Sequence, residues 1–187
     1  MKKQVLVPIA NGSEEIEAVT VVDVLRRAGA QVTVASVESE PQITASRGVV
    51  LLADCLIDAC QSCVYDLIVL PGGMPGAETL SNNAVLTRLL QAQQAAGRHY
   101  AAICAAPAVV LERHGLLAGT TATAHPGFID RLPPERRSEA SVVCGDQCIT
   151  SRGPGTALEF ALALVARLYG TEQADAVAAP MVVQAGR

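Results

Sequence analysis

Short β-branched and apolar runs alternate along this chain with longer stretches whose apolar positions recur every three or four residues. QVLVPIA (4–10), QVTVASV (31–37), YDLIVLPGG (65–73), HYAAIC (99–104) and TTATAH (120–125) read as strands. ITASRGVVLLAD reads as a pair of short strands or a hairpin around Arg47-Gly48, and ASVVCGDQCITS (140–151) as a hairpin that turns at Gly145-Asp146. The spacing of Ile16, Val19, Val22 and Leu25 predicts a helix running to about Ala28, capped by Ser13 and stopped at Gly29. Glu14 and Glu15 then sit at the positive end of its dipole. Further helices are expected over 82–96, 105–114 and 153–170. YDLIVL lacks polar alternation, as a central strand buried on both faces should. Strands alternating with helices predict a parallel sheet covered on both sides, with the working site beyond the carboxyl ends of the strands.

Composition narrows this picture. The 187 residues suit a single domain, expected to span 1–187, and half of them are hydrophobic while only 3% are aromatic. The core must therefore be built from Val, Leu, Ile and Ala. A net charge of −4 argues against nucleic acid or an anionic membrane as partner. The basic start MKKQVLVPIANGSEE carries an apolar run of only about five residues, too short for a signal peptide or a spanning helix. A cytoplasmic location follows as an expectation, with the six cysteines mostly reduced.

The strand ends gather the residues with chemistry. Cys104 stands between a strand and a helix, flanked by Ala101, Ala102, Ala105 and Ala106, small enough for the tight turn that exposes a nucleophile. Amides at the start of the following helix would lower its thiol below the usual value of about 8.5. Free cysteine is also among the most buried residue types, so the pattern alone leaves Cys104 open between packing residue and nucleophile. Gly72 and Gly73 in LPGGMPGA allow close backbone approach and, with the Ala105 amide, could stabilise an oxyanion, although a Gly pair is also an ordinary turn. Glu17 falls near the apolar stripe of its helix, where a raised pKa suits a general acid or base, or else it belongs to a solvated SEEIE run. His125 is a candidate proton shuttle, though a lone His is commonly structural.

GSEEIEAVTVVDVLRRAG, VLPGGMPGAETL, AAICAAP, AHPG and TSRGPGTALEFALALV, in that order, resemble the ThiJ/PfpI superfamily. Within it they are most similar to the branch of the Parkinsonism-associated protein deglycase, or glyoxalase III, and its bacterial relatives. The resemblance runs from about residue 4 to residue 183. It implies a flavodoxin-like, class I glutamine amidotransferase-like three-layer α/β/α sandwich and a homodimer. It also implies a reactive Cys104 on a strained elbow, a protonated Glu17 bonded to it, His125 in the pocket, and an amide pair at Gly73 and Ala105. Arg47 and Arg152 would line a cleft near the cysteine. The implied chemistry acts on methylglyoxal or its early glycation adducts without metal or glutathione, and the implied secondary roles are oxidation sensing and chaperoning.

Rival readings fit the residues less well. The peptidase branch places His directly after its nucleophile, where this chain has Ala105. Amidotransferases flank theirs with glycines and carry Glu two residues after the His, whereas here Ala102 and Ala106 flank and HPGF follows. An oxidation sensor would need the same Cys104 and Glu17, and two positions where some relatives carry extra cysteines are Ala45 and Leu52. CQSC (60–63) and CGDQC (144–148) have metal or redox spacing, but with His99, His114 and His125 as the only imidazoles a metal centre is not expected. Cys55, Cys60, Cys63, Cys144 and Cys148 read most simply as packing or surface residues.

Overall fold

A computed structural model describes residues 2–183. The chain enters through β1 (Gln4–Ile9), crosses by α1 (Glu15–Arg27) to β2 (Gln31–Ser36), and forms the hairpin of β3 (Gln42–Thr44) and β4 (Val50–Leu52). Then come β5 (Cys55–Leu56), β6 (Leu67–Leu70), α2 (Gly76–Asn82), α3 (Ala84–Ala95), β7 (His99–Ile103) and a π-helical segment, Pro107–Glu112. The hairpin β8 (Val142–Cys144) and β9 (Cys148–Ser151) precedes α4 (Ala157–Tyr169) and α5 (Thr171–Ala178). Among the described residues the main sheet has seven strands in the order β5-β2-β1-β6-β7-β9-β8, every neighbouring pair parallel except β9 with β8.

Alternation within the central strands explains the layers. In β1, Val5, Val7 and Ile9 join the core beneath α1 and α4, while Leu6 points to the other face among Leu80, Leu86, Leu90, Val110 and Leu111. Both faces are apolar, which is why these strands read as continuous hydrophobic runs. Each fully buried Leu, Val or Ile contributes about 1.5–3 kcal/mol by leaving water. With three-layer packing on a mainly parallel sheet, the flavodoxin-like architecture expected from the sequence is the one observed.

Several local expectations are corrected. In α1 the buried side chains are Glu15, Glu17, Ala18, Val21, Val24 and Leu25, whereas Ile16 and Val19 are 54% and 50% exposed. The stripe 17, 21, 24, 28 seats the helix on the sheet because a backbone amide receives Glu17, and the more apolar line through Ile16 turns outward. Ser13 does not cap α1; its Oγ accepts from the Ala10 amide at 3.0 Å, closing the turn after β1. The helix expected over 82–96 is broken at Asn83, whose side chain accepts from the Leu86 amide and caps α3. TTATAH forms no sheet strand: Ala122 makes one isolated bridge to Arg137, and the Thr123 amide donates to the Thr150 hydroxyl instead of a ladder. Among the described residues no helix is long and apolar enough to cross a membrane.

Candidate active site

β6, β7 and β9 end level with one another, Leu70 pairing with Ala102 and Ile103 with Ser151. The turns that follow therefore meet at one edge of the sheet. Cys104 leaves β7 with φ of 65°, a left-handed conformation that a side chain adopts at a cost of about 1–3 kcal/mol. Two backbone bonds hold it there: its amide donates to the Ser151 carbonyl at 3.0 Å, and its carbonyl accepts from the His125 amide at 2.8 Å. Ala101, Ala102, Ala105 and Ala106 around it are fully buried. The alanines that made the elbow legible in the sequence thus pack it on all sides, and Cys104 as a residue is 9% exposed.

Gly72 is small for a steric reason. A Cβ there would lie 2.6 Å from the Cβ of Cys104. Its amide donates to Glu17 Oε2 at 2.7 Å, and its carbonyl accepts from the Glu14 amide at 3.0 Å, locking the start of α1 to the end of β6. Gly73, at φ +85°, is pressed against the backbone of residues 12–14, where any Cβ would collide. The Gly73 and Ala105 amides both act on the Cys104 sulfur.

Glu17 is completely buried, and its Oε1 has no aligned hydrogen-bond partner although the Cys104 thiol interacts with the carboxyl. Burial raises the carboxyl to about 7, reinforced by the charge of Glu14 and opposed by the Gly72 amide and the thiol. Burial likewise pushes the Cys104 thiol up to about 12, with the Glu17 charge adding and the Gly73 and Ala105 amides opposing. The sequence led to the opposite expectation, a thiol depressed by amides. Desolvation and the neighbouring carboxyl oppose those amides, and the charge of either group raises the other. The thiol is eased only when Glu17 holds a proton, because the repelling charge is then absent.

The cleft above the sulfur encloses about 260 Å³ and is lined by Gly73, Ala105, His125 and Arg47 among the residues expected from sequence. Glu17 and Gly72 lie behind it. Arg152 lines an adjoining depression that shares His125 and Pro154 with the cleft, and its guanidinium donates to the Glu139 carbonyl at 3.2 Å. The His125 ring accepts from the Gly127 amide at Nδ1, 3.1 Å, so the neutral ring carries its proton on Nε2. A larger cleft of about 390 Å³, lined by Tyr100, Thr120, Cys144 and Gln147, opens at the opposite end of the strands and contains none of these residues.

Sequence reasoning missed part of the wall. Glu14, Ser46, Met74, Phe128 and Pro154 all line the cleft. The Ser46 hydroxyl lies 2.6 Å from Glu14 and 2.8 Å from Glu15, and the Arg47 amide donates to Glu15 at 2.8 Å. These contacts fasten the β3–β4 turn to the start of α1. The SEEIE run and the Ser46-Arg47-Gly48 turn were both visible in the sequence, but nothing local showed that they meet. Phe128 stands edge-on to His125 with ring centres 6.2 Å apart, and the Arg131 guanidinium lies 5.1 Å over its ring. Among the described residues no group of three or more His, Cys, Asp or Glu side chains is placed to hold a metal ion.

Known proteins resemble this chain in sequence and in fold. The solved structure of oxidized DJ-1 from Toxoplasma gondii is 50% identical and superposes with a TM-score of 0.97, covering 98% of this chain and 100% of that one. The glutathione-independent glyoxalase DJR-1.2 of Caenorhabditis elegans is 36% identical over 171 residues, 90% of each chain. Protein DJ-1 homolog B of Arabidopsis thaliana is 50% identical over 170 residues, which are 91% of this chain but only 39% of that protein. The chain thus spans less than half the length of its plant relative. The model of the DJ-1/PfpI family matches residues 3–167, and with its strained cysteine elbow and buried glutamate this chain belongs to that family.

Proposed function

We propose that this protein is a cysteine-dependent glyoxalase and deglycase that converts methylglyoxal, or its early adducts with amines and thiols, to a 2-hydroxy acid. The observation that carries the reading is the fully buried Glu17 set beside a thiol on a strained elbow. A carboxyl raised to about 7 can take and return protons at neutral pH. The relative named as a glutathione-independent glyoxalase supports the same chemistry.

The proton inventory takes Glu17 as the proton carrier of the pair. Glu17 carboxylate accepts the thiol proton as the Cys104 sulfur attacks the aldehyde carbon, forming a hemithioacetal alkoxide. Amides of Gly73 and Ala105 face that oxygen. Glu17 gives its proton to the alkoxide and is again a carboxylate. It then removes the hydrogen on the former aldehyde carbon while His125 Nε2–H donates to the neighbouring ketone oxygen, giving an enediol. The proton held by Glu17 goes to the second carbon while the hydroxyl on the sulfur-bearing carbon gives its proton back to His125 Nε2, leaving a thioester, which water hydrolyses to lactate and free thiol. One carbon is oxidised and its neighbour reduced, so no external electron acceptor is required.

The test is lactate formation from methylglyoxal by the pure protein without glutathione. Cys104→Ala should abolish it, and full retention would sink the proposal. An alternative role, sensing of oxidants by Cys104, draws on the same amides and on the Toxoplasma relative having been solved in oxidized form. Mild peroxide followed by intact-mass measurement, set beside turnover, separates the two.

A homodimer is part of this reading. Ile16, Val19, Val49, Val50 and Leu52 are exposed on α1 and the β3–β4 hairpin, and a groove lined by Val19, Val22, Leu51 and Leu52 runs between them. A second copy covering this face would stand close to Arg47. A cytosolic location is part of the same reading.

A further inference from the structure

The stretch DCLIDACQSCVYD (54–66) carries three of the six cysteines, none of them near Cys104 in sequence. The fold brings them together at the β5 edge of the sheet. Cys55 lies in β5 and Cys60 ends the 3-10 turn Ile57–Cys60. Cys63 follows one turn later, its amide donating to the Cys60 carbonyl at 3.0 Å. The Cys55 and Cys60 sulfurs are 3.8 Å apart, in van der Waals contact, against about 2.05 Å for a disulfide bond. Residues at the two ends of a β-turn lie within about 7 Å at Cα, near the span of about 4.4–6.8 Å that a disulfide bridges. Access is graded: Cys60 is buried, Cys55 half-buried and Cys63 exposed. The buried Tyr65 places its hydroxyl beside the thiols of both Cys60 and Cys63.

The geometry points to a second, peroxide-reactive thiol centre in which exposed Cys63 is oxidised first, Cys60 resolves it, and Cys55 then takes over Cys60 by exchange. In the first step the Cys63 sulfur attacks a hydroperoxide. The O–O bond breaks, the sulfur is oxidised to sulfenic acid, and water or an alcohol leaves. The Cys60 sulfur next attacks the sulfenyl sulfur; an S–S bond forms, the S–O bond breaks, and hydroxide departs as water with the thiol proton. Finally the Cys55 sulfur attacks Cys60, the Cys55–Cys60 bond replaces Cys60–Cys63, and Cys63 leaves with the proton that Cys55 gives up. This last step transfers no net electrons and returns an accessible thiol to the surface. Burial and the adjacent thiols push Cys55 up to about 11, which keeps it protonated and makes it the slow partner.

The centre is independent of the carbonyl chemistry assigned to Cys104, and its test reads the two separately. Wild-type protein is treated with hydrogen peroxide, its free thiols are alkylated, and the chain is cut before aspartates. Cleavage at Asp54, Asp58 and Asp66 separates Cys55 from Cys60 and Cys63, while Cys104 falls in the fragment that begins at Asp66. Fragment 58–65 should appear early, unalkylated and lighter by two hydrogen atoms, and later cross-linked to fragment 54–57. Cys63→Ser should slow the peroxide-driven loss of Cys60 alkylation at least about tenfold, and Cys55→Ser should stop at the early product. If all three thiols stay alkylatable while Cys104 is oxidised, or Cys63 climbs to sulfinic acid with Cys60 still free, the proposal is overturned.

Discussion

Two thiol regions in this chain each hold a buried cysteine, yet their surroundings assign them different chemistry. At the β7 elbow, Cys104 meets a carboxyl, two backbone amides and an open cleft. At the β5 edge, Cys55 and Cys60 meet each other, Cys63 and a tyrosine hydroxyl. Burial raises the thiol in both Cys104 and Cys55. Desolvation therefore does not mark a carbonyl-attacking thiol; a group able to take the thiol's proton and a place for the substrate do. The elbow has both, and the cluster has instead a ready sulfur partner.

The sharpest way to break this comparison is Cys104→Ala, expected to lower methylglyoxal turnover by at least about a thousandfold, measured as lactate release. Activity carried by the other cysteines would erase the distinction. Glu17→Gln comes next: it removes the base without changing the volume, and kcat/KM should fall by about a hundredfold or more. Wild-type kcat/KM should rise with pH through a midpoint near 7 as the pair gains its single charge, and the Gln variant should lose that limb. Stability follows with the opposite sign. The folded carboxyl is raised from 4.5 to about 7, so the neutral-form contribution is complete below about 4.5 and is lost as pH rises through 7. That loss, about 3 kcal/mol by linkage, should show in urea midpoints of the wild type and be absent from Glu17→Gln.

A smaller effect is expected at Gly72. The added methyl of Gly72→Ala meets the Cys104 Cβ at 2.6 Å, so the elbow must shift. Overpacking should cost about 1–3 kcal/mol in denaturant unfolding, with turnover reduced more than substrate affinity. The smallest effect sharpens the comparison from the other side: Cys63→Ser should leave methylglyoxal turnover within about twofold of wild type, because a surface thiol at the β5 edge has no part in the cleft.

Much of the site was legible because its signals are local. Cys104 stood at a strand end among alanines, the Gly pair followed a continuous apolar strand, and a parallel sheet collects strand ends at one edge. Glu17 was only half legible. Its neighbours Ile16 and Val19 draw an apolar stripe that the fold turns outward, while the stripe containing Glu17 is seated because Gly72, 55 residues away, donates to its carboxylate. Glu14 and Ser46 were missed for the same reason, since their contact spans 32 residues. TTATAH has strand composition, yet it forms no ladder because the Thr150 side chain takes the amide of Thr123.

What the sequence by itself determined, then, is the alternation of strands and helices, the parallel core, and the residue types waiting at the strand ends, because periodicity and turn chemistry act over a few neighbours. Tertiary structure decided which face of α1 is buried, how burial raises both members of the Cys104–Glu17 pair, and that three cysteines of one stretch share a corner. Each of these depends on desolvation and on partners brought from distant segments, and both exist only once the sheet has closed around them.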